Sequence, residues 1–305
     1  MPYFLAVDSG GTKAEFLLAD ETRELKRVFS GAIRPVNADT AVIAANVAQA
    51  LAALEEATGV RMEQVTRTCI GTSGETVPLV VDSLRGEFSK RVGGELLILG
   101  DVEIAFDAAF QGGRGVLVLA GTGSNLAARA SNGAITTAGG WGPNLADQGS
   151  GHFIGLEGLR RGFLARDEQR PTQLLEAAQE LWDLPSLGAL IEFANKQHPV
   201  RYASTFAPKV VSLAEEGDEV AIEILDHGGR DLAYLASLLI ERIRKAEGDS
   251  FTLPSVATAG SILTHVTRLR ESMRAALRER YPSIEFVETP ADPVRGALWH
   301  AMQGR

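Results

Sequence analysis

The stretch that decides the fold is Gly112-Gly-Arg-Gly-Val-Leu-Val-Leu-Ala-Gly-Thr-Gly-Ser-Asn125, which is followed by a second glycine-rich stretch at 139–151. Val116 to Ala120 is a short, fully apolar run, which is typical of a strand buried in a sheet. The glycines of the turn Gly121-Thr-Gly-Ser124 let backbone N–H groups approach a ligand closely, and this suits a phosphate. A strand-like segment follows as far as Ala130, so the turn joins two strands. A dinucleotide-binding Rossmann turn, which opens a helix, is therefore excluded.

A unit of the same kind stands near residue 1. Tyr3 to Val7 has the pattern of a buried strand, Asp8-Ser-Gly-Gly-Thr-Lys13 that of a glycine turn, and Ala14 to Asp20 that of a second strand. The turn lacks the Gly-x4-Gly-Lys-Ser/Thr pattern of a P-loop and the helix that follows one. Two strand–turn–strand units in one chain predict a duplicated lobe that holds phosphates between two facing hairpins.

Helices and strands alternate in the first half of the chain, and helices dominate the second. Asp39 is the expected cap of the first helix. Before the central stretch we predict helices at 39–58, 77–90 and 102–110 and strands at 67–71 and 96–100. From Ser150 onward we predict helices at about 151–166, 171–183, 186–197, 204–216 and 218–247, a strand at 251–259, a helix at 262–280, a strand at 284–287 and a last helix from 292.

The length and composition indicate a globular chain with two lobes. It has 305 residues, of which 45% are hydrophobic and 23% charged, enough to bury a large core. We expect an N-terminal lobe at 1–111 and a C-terminal lobe at 112–305, with a cleft between them. The last helix, at about 291–305, is expected to pack back on the N-terminal lobe.

The charge and the cysteine content limit the partners. A net charge of −9 argues against a nucleic-acid partner, because a polyanion would be repelled. One cysteine, Cys69, excludes disulfides within the chain and any multi-cysteine metal site built by one subunit. The first residues lack a basic segment, and no apolar run is long enough to cross a bilayer. We therefore expect a cytoplasmic protein with a small-molecule ligand and without a membrane partner; the sequence leaves the oligomeric state open, a homodimer included.

Three carboxylates occupy positions where ligands commonly bind, and for each of them a purely structural role is the alternative. Asp8 follows the first strand and either orients magnesium or caps its own turn. Asp101 ends the strand at 96–100, where ligands bind in open α/β sheets, or it caps the next helix. Asp147, in the second glycine-rich stretch, either contacts a polyhydroxylated ligand or forms an Asx-turn. Trp141 either stacks on a sugar or covers the core.

The histidines and the turn hydroxyls are less informative. The five histidines show no metal spacing and are interpreted as surface or packing residues. Thr122 and Ser124 are either ordinary turn hydroxyls or phosphate ligands, and the presence of two similar glycine turns favours phosphate binding.

The turn at 8–13, Asp101 after a buried strand, Gly121-Thr-Gly-Ser-Asn125 and Gly139-Gly-Trp-Gly-x4-Asp-x-Gly-Ser150 together resemble the N-acetylglucosamine kinase branch of the sugar kinase/Hsp70/actin superfamily. That branch also contains activator ATPases of the BadF/BadG/BcrA/BcrD type, which serve 2-hydroxyacyl-CoA dehydratases and benzoyl-CoA reductases. The resemblance runs from residue 4 to residue 298. It implies an α/β, actin-like (ribonuclease H-like) ATPase fold: two lobes with duplicated β-hairpin phosphate-binding units, a central cleft, and ATP with Mg²⁺.

The resemblance also assigns roles to individual positions. The ATP phosphates would be bound by the two glycine turns, at Gly10, Gly11, Thr12 and Lys13 and at Gly121, Thr122 and Gly123, with Mg²⁺ held at Asp8 through water. The adenosine-binding turn would lie at Gly260, Ser261 and His265. The amino-sugar site would be lined by Asn37, Asp101, Ser124, Asn125, Gly140, Trp141, Gly142 and Asp147. Asp101 would be the general base that receives the proton of the sugar hydroxyl.

The activity that the resemblance implies is phosphorylation of the 6-hydroxyl of an amino sugar, with N-acetylglucosamine as the expected substrate. Relatives usually carry Gly-Asp-Glu-Gly-Ser where this chain has Ala146-Asp-Gln-Gly-Ser150, so one acidic group near the sugar is missing. Glucosamine and N-acetylmuramic acid are alternative substrates. An activator ATPase is an alternative function, but such activators hold an iron–sulfur cluster with more than one cysteine from each subunit, whereas this chain has Cys69 alone.

Overall fold

The computed structural model of the chain describes residues 1–35, 38–196 and 202–303. Its elements are, in chain order, β1 (Tyr3–Ser9), β2 (Lys13–Asp20), β3 (Glu24–Gly31), α1 (Thr40–Thr58), β4 (Val65–Thr72), α2 (Pro78–Phe88), β5 (Glu95–Gly100), α3 (Asp101–Phe110), β6 (Gly115–Ala120), β7 (Ser124–Arg129), β8 (Ile135–Gly139), α4 (Gly151–Asp167), α5 (Leu174–Leu181), α6 (Leu187–Lys196), α7 (Ala203–Glu215), α8 (Glu219–Glu247), β9 (Val256–Ala259), α9 (Ser261–His265), α10 (Thr267–Arg280) and α11 (Pro293–Gln303).

The chain divides into two compact units. Unit 1 is Met1–Gly113 together with the C-terminal segment from Ala291, and unit 2 is Arg114–Pro290. The last helix, α11, packs in unit 1 against α3 and β1. None of the described helices is both long and apolar enough to span a membrane.

Unit 1 is built on a five-stranded sheet in the order β3-β2-β1-β4-β5. Strands β1, β4 and β5 are parallel, and β2 runs antiparallel to both β1 and β3. Successive side chains of a strand point to opposite faces, so Leu5 and Val7 enter one core while Phe4 and Ala6 enter another. The first core includes residues of α1 and α2, and the second includes residues of α3 and α11. Both faces of the sheet are therefore covered.

Unit 2 combines a four-stranded sheet, in the order β8-β7-β6-β9, with seven helices in the described ranges. Strand β6 is antiparallel to β7 and parallel to β9, as expected for a hairpin followed by a crossover. The long helix α8 begins at Asp218, whose carboxylate accepts the N–H groups of Val220 and Ala221, each at 3.0 Å. One large apolar core joins the sheet to α4, α7, α8 and α10.

Most of the expected elements are confirmed within a few residues, including a strand on each side of both glycine turns. Strand β3 was missed, because Glu24, Lys26 and Arg27 make this edge strand look like a loop, although charges are common on edge strands. The helix expected at 262–280 is broken at Val266 into α9 and α10. The strand expected at 284–287 is reduced to one bridge from Phe286 to β9.

Close packing of α4 on α7 requires a glycine, and this can be tested. A Cβ atom on Gly155 would lie 1.7 Å from the Ala203 carbonyl oxygen, so Gly155→Ala must push the helices apart. We expect a loss of about 2 kcal/mol in the free energy of unfolding. Gly86→Ala in α2 is the control, because its Cβ meets nothing within 4 Å and the change should add up to about 1 kcal/mol. Urea unfolding checks both values, and equal effects of the two substitutions would contradict this account of the packing.

Candidate active site

Three parallel strands of unit 1 end at the same edge of the sheet. Ser9 of β1 is paired with Thr72 of β4, which is paired with Gly100 of β5. Asp8 is the residue before Ser9, and Asp101 is the residue after Gly100. The register therefore brings together the two carboxylates that the sequence singled out for magnesium and for base catalysis.

The carboxyl group of Asp8 has an unusually high affinity for a proton. Its pKa is raised to about 7, mainly because the fold removes the group from water. Neighbouring carboxylates raise the pKa further, in the order Asp101, Glu15 and Asp292, and the Lys13 ammonium lowers it. A cation bound here would relieve this crowding of negative charge.

Asp101 is the first residue of α3, and its Oδ1 accepts the N–H of Val102 at 2.8 Å. Burial raises the pKa of this carboxyl, the Val102 N–H lowers it, Glu75 raises it and Arg34 lowers it. Gly100, not Asp101, is the N-cap of α3, and no side-chain cap hydrogen bond is present there, so the helix-cap interpretation of Asp101 is wrong. The Val102 N–H occupies one oxygen of the carboxylate, and a raised pKa makes the group a better proton acceptor.

Two charged residues at this edge were missed by sequence reasoning. Arg34 follows β3 and donates from Nη1 to the Ser73 carbonyl at 3.2 Å, which brings it to the end of β4. Glu75 approaches Gly100, where a Cβ atom would lie 3.2 Å from its Oε1. A single arginine in the otherwise uncharged segment 28–38 was the available signal, but the strand that carries it to this edge had not been recognised.

A second charged group lies beside Asp8 in the same unit. Arg27 pairs with Glu15 at 2.6 Å and with Asp292, just before α11, at 2.9 Å. Glu15 in turn is the cross-strand partner of Asp8. The C-terminal helix is thereby connected to the candidate magnesium position, which no sequence motif had indicated.

The first glycine turn, at 10–12, is open to a ligand. Thr12 and Lys13 are exposed, and the Lys13 ammonium lies over the Phe29 ring at 5.4 Å. In the described part of the chain the backbone N–H groups of Gly11 and Thr12 have no acceptor. Unpaired N–H groups of this kind are what an anion would bind.

The second glycine turn, in unit 2, is fastened through its carbonyl groups. The N–H groups of Gly151 and His152, at the start of α4, bind the carbonyls of Gly121 and Thr122 at 2.8 and 3.1 Å. Among the residues that the structure describes, no acceptor is found for the N–H groups of Thr122 and Gly123. The turn therefore offers donors and not acceptors, as a phosphate site requires.

The expected adenosine turn lies next to this second turn. A Cβ atom on Gly121 would be 3.8 Å from the Ser261 hydroxyl, which is an ordinary contact. Gly260 has a φ of 90°, and a Cβ there would lie 2.3 Å from the Ala120 carbonyl, so glycine is required. His265 is exposed at the end of the short helix α9. Gly260 and Ser261 are thus brought to the turn, and His265 is not shown to contact it.

The second glycine-rich stretch folds back on the start of β7. Asp147 is buried, has a φ of 68° and accepts the Ser124 N–H at 3.3 Å through Oδ1. Ser124 Oγ donates to the Gln148 carbonyl at 2.8 Å. Burial raises the pKa of Asp147, and the Ser124 N–H lowers it. A Cβ atom on Gly123 would lie 2.9 Å from Asp147 Oδ2, so glycine is needed here to make room for the carboxylate. Gly123 does not have a positive φ.

Asn125, on β7, lies beside Gly140, the residue that follows β8. A Cβ atom on Gly140 would be 2.6 Å from the Asn125 amide carbon. Asn125 Oδ1 and Gln148 Oε1 are buried, and neither has a hydrogen-bond partner among the described residues. Trp141 is 75% exposed, so it does not cover the core, and Gly142 follows it with a φ of 88°.

The remaining predicted residues do not join these groups. Asn37 lies outside the described residues. Of the histidines, His152 lines a cavity of about 250 Å³ beside α4, His227 contacts Arg161, and His300 binds Asp107 at 3.0 Å. Within the described ranges, no three side chains of the His, Cys, Asp or Glu type converge as a metal cage. Asp8 fits Mg²⁺, which usually takes one or two carboxylates and completes its shell with substrate phosphates and water.

A family model and two curated relatives match nearly the whole chain. The model of the BadF/BadG/BcrA/BcrD ATPase family matches residues 5–301. The chain is 26% identical to the N-acetylmuramic acid/N-acetylglucosamine kinase of Clostridium acetobutylicum, with 98% of this chain and 97% of that protein covered. It is 29% identical to the N-acetyl-D-glucosamine kinase of Dictyostelium discoideum, with 99% and 98% covered.

Solved structures confirm the expected α/β, actin-like ATPase fold. A candidate N-acetylglucosamine kinase from Chromobacterium violaceum matches with a TM-score of 0.75 at 23% identity, with 98% of both chains covered. The ROK hexokinase of Thermus thermophilus matches with a TM-score of 0.60 at 15% identity, with 99% of both chains covered. At these identities the likeness is one of fold.

The raised pKa of Asp8 predicts a pH-dependent stability of the ligand-free protein. Because the folded state holds the Asp8 proton up to about pH 7 and the unfolded state releases it near the ordinary pKa of 3.8, this group makes stability fall as pH rises between the two values. Asp8→Asn should therefore be more stable than wild type at pH 8, on the order of a few kcal/mol, and the difference should shrink as pH falls toward 4.

Asp20→Asn is the matched control for this experiment. The hydrogen bonds that Thr22 donates to the Asp20 carboxylate lower its pKa. The negative charge of Asp20 therefore stabilises the fold at pH values above the pKa of this group in the unfolded state. The control should be less stable than wild type by an amount that stays constant from pH 5 to pH 8. Urea unfolding at several pH values measures both differences in the free energy of unfolding. A difference between Asp8→Asn and wild type that does not change with pH would refute the raised pKa of Asp8.

Proposed function

Because the chain belongs to the BadF/BadG/BcrA/BcrD ATPase family, we propose that it is an ATP-dependent kinase that phosphorylates the 6-hydroxyl of an amino sugar. The two full-length relatives are named as kinases of N-acetylglucosamine, one of them also of N-acetylmuramic acid. The observation that carries the proposal is the pairing of Asp8 and Asp101 at one sheet edge of unit 1, next to a glycine turn with open N–H groups.

Each residue group has a distinct task in this proposal. The N–H groups of the turns at 10–12 and 121–123 bind phosphate oxygens of ATP, and Gly260 and Ser261 accommodate the adenosine. Asp101 accepts the proton of the sugar 6-hydroxyl as its oxygen attacks the γ-phosphorus, because a buried carboxylate with a raised pKa is a better base than an exposed one. Asp8 holds Mg²⁺ through water, and the bound ion neutralises charge on the phosphates.

The sugar is bound, in this proposal, by the groups around the start of β7 and by Asn37. Asp147 accepts sugar hydroxyls, while Asn125 Oδ1 and Gln148 Oε1 supply neutral acceptors that are buried and unused in the described structure. A neutral acetamide suits such a pocket, whereas the ammonium group of glucosamine needs a carboxylate partner. We therefore propose N-acetylglucosamine as the preferred substrate. A cytoplasmic location and the absence of nucleic-acid partners stay predictions.

The activator-ATPase alternative conflicts with the state of the one cysteine. Cys69 is buried on β4, and burial raises the pKa of its thiol to about 12. An iron–sulfur cluster is bound by thiolates, which an inaccessible thiol of this kind does not supply. The family contains such activators, but this chain lacks the ligand that they would need.

A substrate panel tests the proposal as a whole. ADP release is measured with N-acetylglucosamine, N-acetylmuramic acid, glucosamine and glucose, together with a reaction that contains no sugar. A kinase releases ADP in proportion to the sugar supplied. Release at the same rate without sugar would favour an uncoupled ATPase and overturn the proposal.

Asp101→Asn tests the general base. We expect kcat to fall by about 10²–10⁴-fold while sugar and ATP still bind, because a base acts mainly on the transition state. Glu103→Gln is the control, since it removes one negative charge from the same first turn of α3. Calorimetric titration checks binding. Turnover of Asp101→Asn within a few-fold of wild type would remove Asp101 from the mechanism.

Gln148→Glu tests the substrate preference. The wild-type protein should have a higher kcat/KM for N-acetylglucosamine than for glucosamine, and the added carboxylate should shift the ratio toward glucosamine by pairing with its ammonium group. Gln179→Glu, on α5, is the control for the added charge. A wild-type preference for glucosamine would show that another carboxylate already pairs with the cation.

A further inference from the structure

Arg34 occupies a position between the first glycine turn and the general base. Its Nη2 lies 3.2 Å from the place of a Cβ atom on Gly11, so the guanidinium is in contact range of the phosphate turn. Its Nη1 donates to the Ser73 carbonyl, in the loop after β4. The carboxylates of Asp101 and Asp8 both act on its charge. One cation thus lies beside the phosphate turn and within electrostatic range of the base and of the candidate magnesium ligand.

The guanidinium is incompletely satisfied in the ligand-free fold. Arginine has five N–H donors, and Arg34 Nε is buried without a hydrogen-bond partner among the described residues. Burial lowers the pKa of Arg34, while Asp101 and Asp8 raise it, and the side chain is partly withdrawn from water. The described structure contains no direct ion pair between Arg34 and either carboxylate. Such an arrangement is costly unless a further anion completes it.

We propose that Arg34 is a catalytic residue that donates hydrogen bonds to the γ-phosphoryl group as it is transferred. The inference rests on the proposed kinase function and deepens it. The Nε and Nη donors bind equatorial phosphoryl oxygens, whose charge must be stabilised in the transition state. Because the anchor on the Ser73 carbonyl fixes the side chain beforehand, little reorganisation is needed when the phosphates arrive.

The chemical step balances without a further reactant. The oxygen of the sugar 6-hydroxyl forms a bond to the γ-phosphorus, and the bond from that phosphorus to the bridging oxygen of ADP breaks. The hydroxyl proton passes to the carboxylate of Asp101, and ADP leaves with the bridging oxygen. Arg34 keeps all its protons throughout and acts through charge and hydrogen bonds.

Two other roles for Arg34, anchoring a loop and binding the sugar, predict different effects of its substitution. If the residue only anchors the Ser73 loop, its loss lowers the stability of unit 1 and leaves phosphoryl chemistry intact in the folded fraction. If it binds the sugar, its loss raises the sugar KM. A donor to the transferring group instead lowers kcat and leaves both KM values within a few-fold of wild type.

Arg34→Ala and Arg34→Lys are the test variants, and Arg23→Ala is the matched control. Arg23 has a side chain that is 76% exposed, in the turn between β2 and β3 at the opposite edge of the same sheet. We expect Arg34→Ala to lose about 10²–10³-fold in kcat, as for the removal of a preorganised donor, and Arg34→Lys to lose less. The control should be unchanged. Added guanidinium ion should restore part of the turnover of Arg34→Ala and none of that of the control.

A binding measurement separates the role from general damage. ADP with Mg²⁺ and aluminium fluoride mimics the transferring phosphoryl group, and calorimetry in the presence of N-acetylglucosamine measures its affinity. Arg34→Ala should bind ADP as wild type does and lose most of the added affinity from aluminium fluoride. Arg34→Lys keeps the charge but not the planar five-donor fork, so it should lose part of that added affinity, and it provides the readout if the alanine variant does not fold.

The outcomes decide between the inference and the proposed function. Unchanged kcat in both Arg34 variants, a loss confined to the sugar KM, or full aluminium fluoride affinity would overturn the inference and leave the kinase proposal standing. Absence of sugar phosphorylation by the wild-type protein would overturn the proposed function. The aluminium fluoride affinity of Arg34→Ala relative to wild type would then decide whether Arg34 recognises a phosphoryl group.

Discussion

The parallel pairing of β1, β4 and β5 is the constraint on which the chemistry of unit 1 depends. The sheet is buried on both faces by apolar residues, so polar side chains of these strands are placed at their ends. The register brings the ends of all three to one edge, and two carboxylates meet there. Burial, and the repulsion from Asp101, raise the pKa of Asp8 to about 7, so the ionised group lowers the stability of the fold. In the proposed function, the same negative field would attract Mg²⁺.

In unit 2 the corresponding constraint is the close approach of backbone to backbone. The start of α4 uses the carbonyls of Gly121 and Thr122, which leaves the N–H groups of the turn for a ligand. Gly123 leaves room for the Asp147 carboxylate, and Gly260 for the end of β6. The two glycines are therefore needed for different reasons. Gly260 has a positive φ, whereas Gly123 leaves space that a side chain would fill. In each unit, backbone N–H groups of the glycine turn are thus left without a protein acceptor among the described residues.

Much of the fold was predictable, because the apolar runs at 116–120 and 96–100 and the two glycine turns carry strong local signals. The carboxylates Asp8, Asp101 and Asp147 could be proposed as site residues because each directly follows or interrupts such a signal. Arg34 was not, since it is placed by β3, an edge strand whose charges conceal its periodicity, and by a hydrogen bond to a residue 39 positions away. The hydrogen bonds of Asp147, and the contact between Gly121 and Ser261, likewise depend on tertiary approach that no local pattern encodes.

Phosphorus NMR of the reaction product tests the central claim, transfer of a phosphoryl group from ATP to the 6-hydroxyl of an amino sugar, most directly. The protein is incubated with ATP, Mg²⁺ and N-acetylglucosamine, and the spectrum is recorded with and without proton decoupling. Phosphorylation of the 6-hydroxyl predicts a new phosphomonoester signal that is split by the two protons on C6 of the sugar and grows as ATP is lost. A spectrum in which ATP is consumed and the only new phosphorus signals are ADP and inorganic phosphate would contradict it.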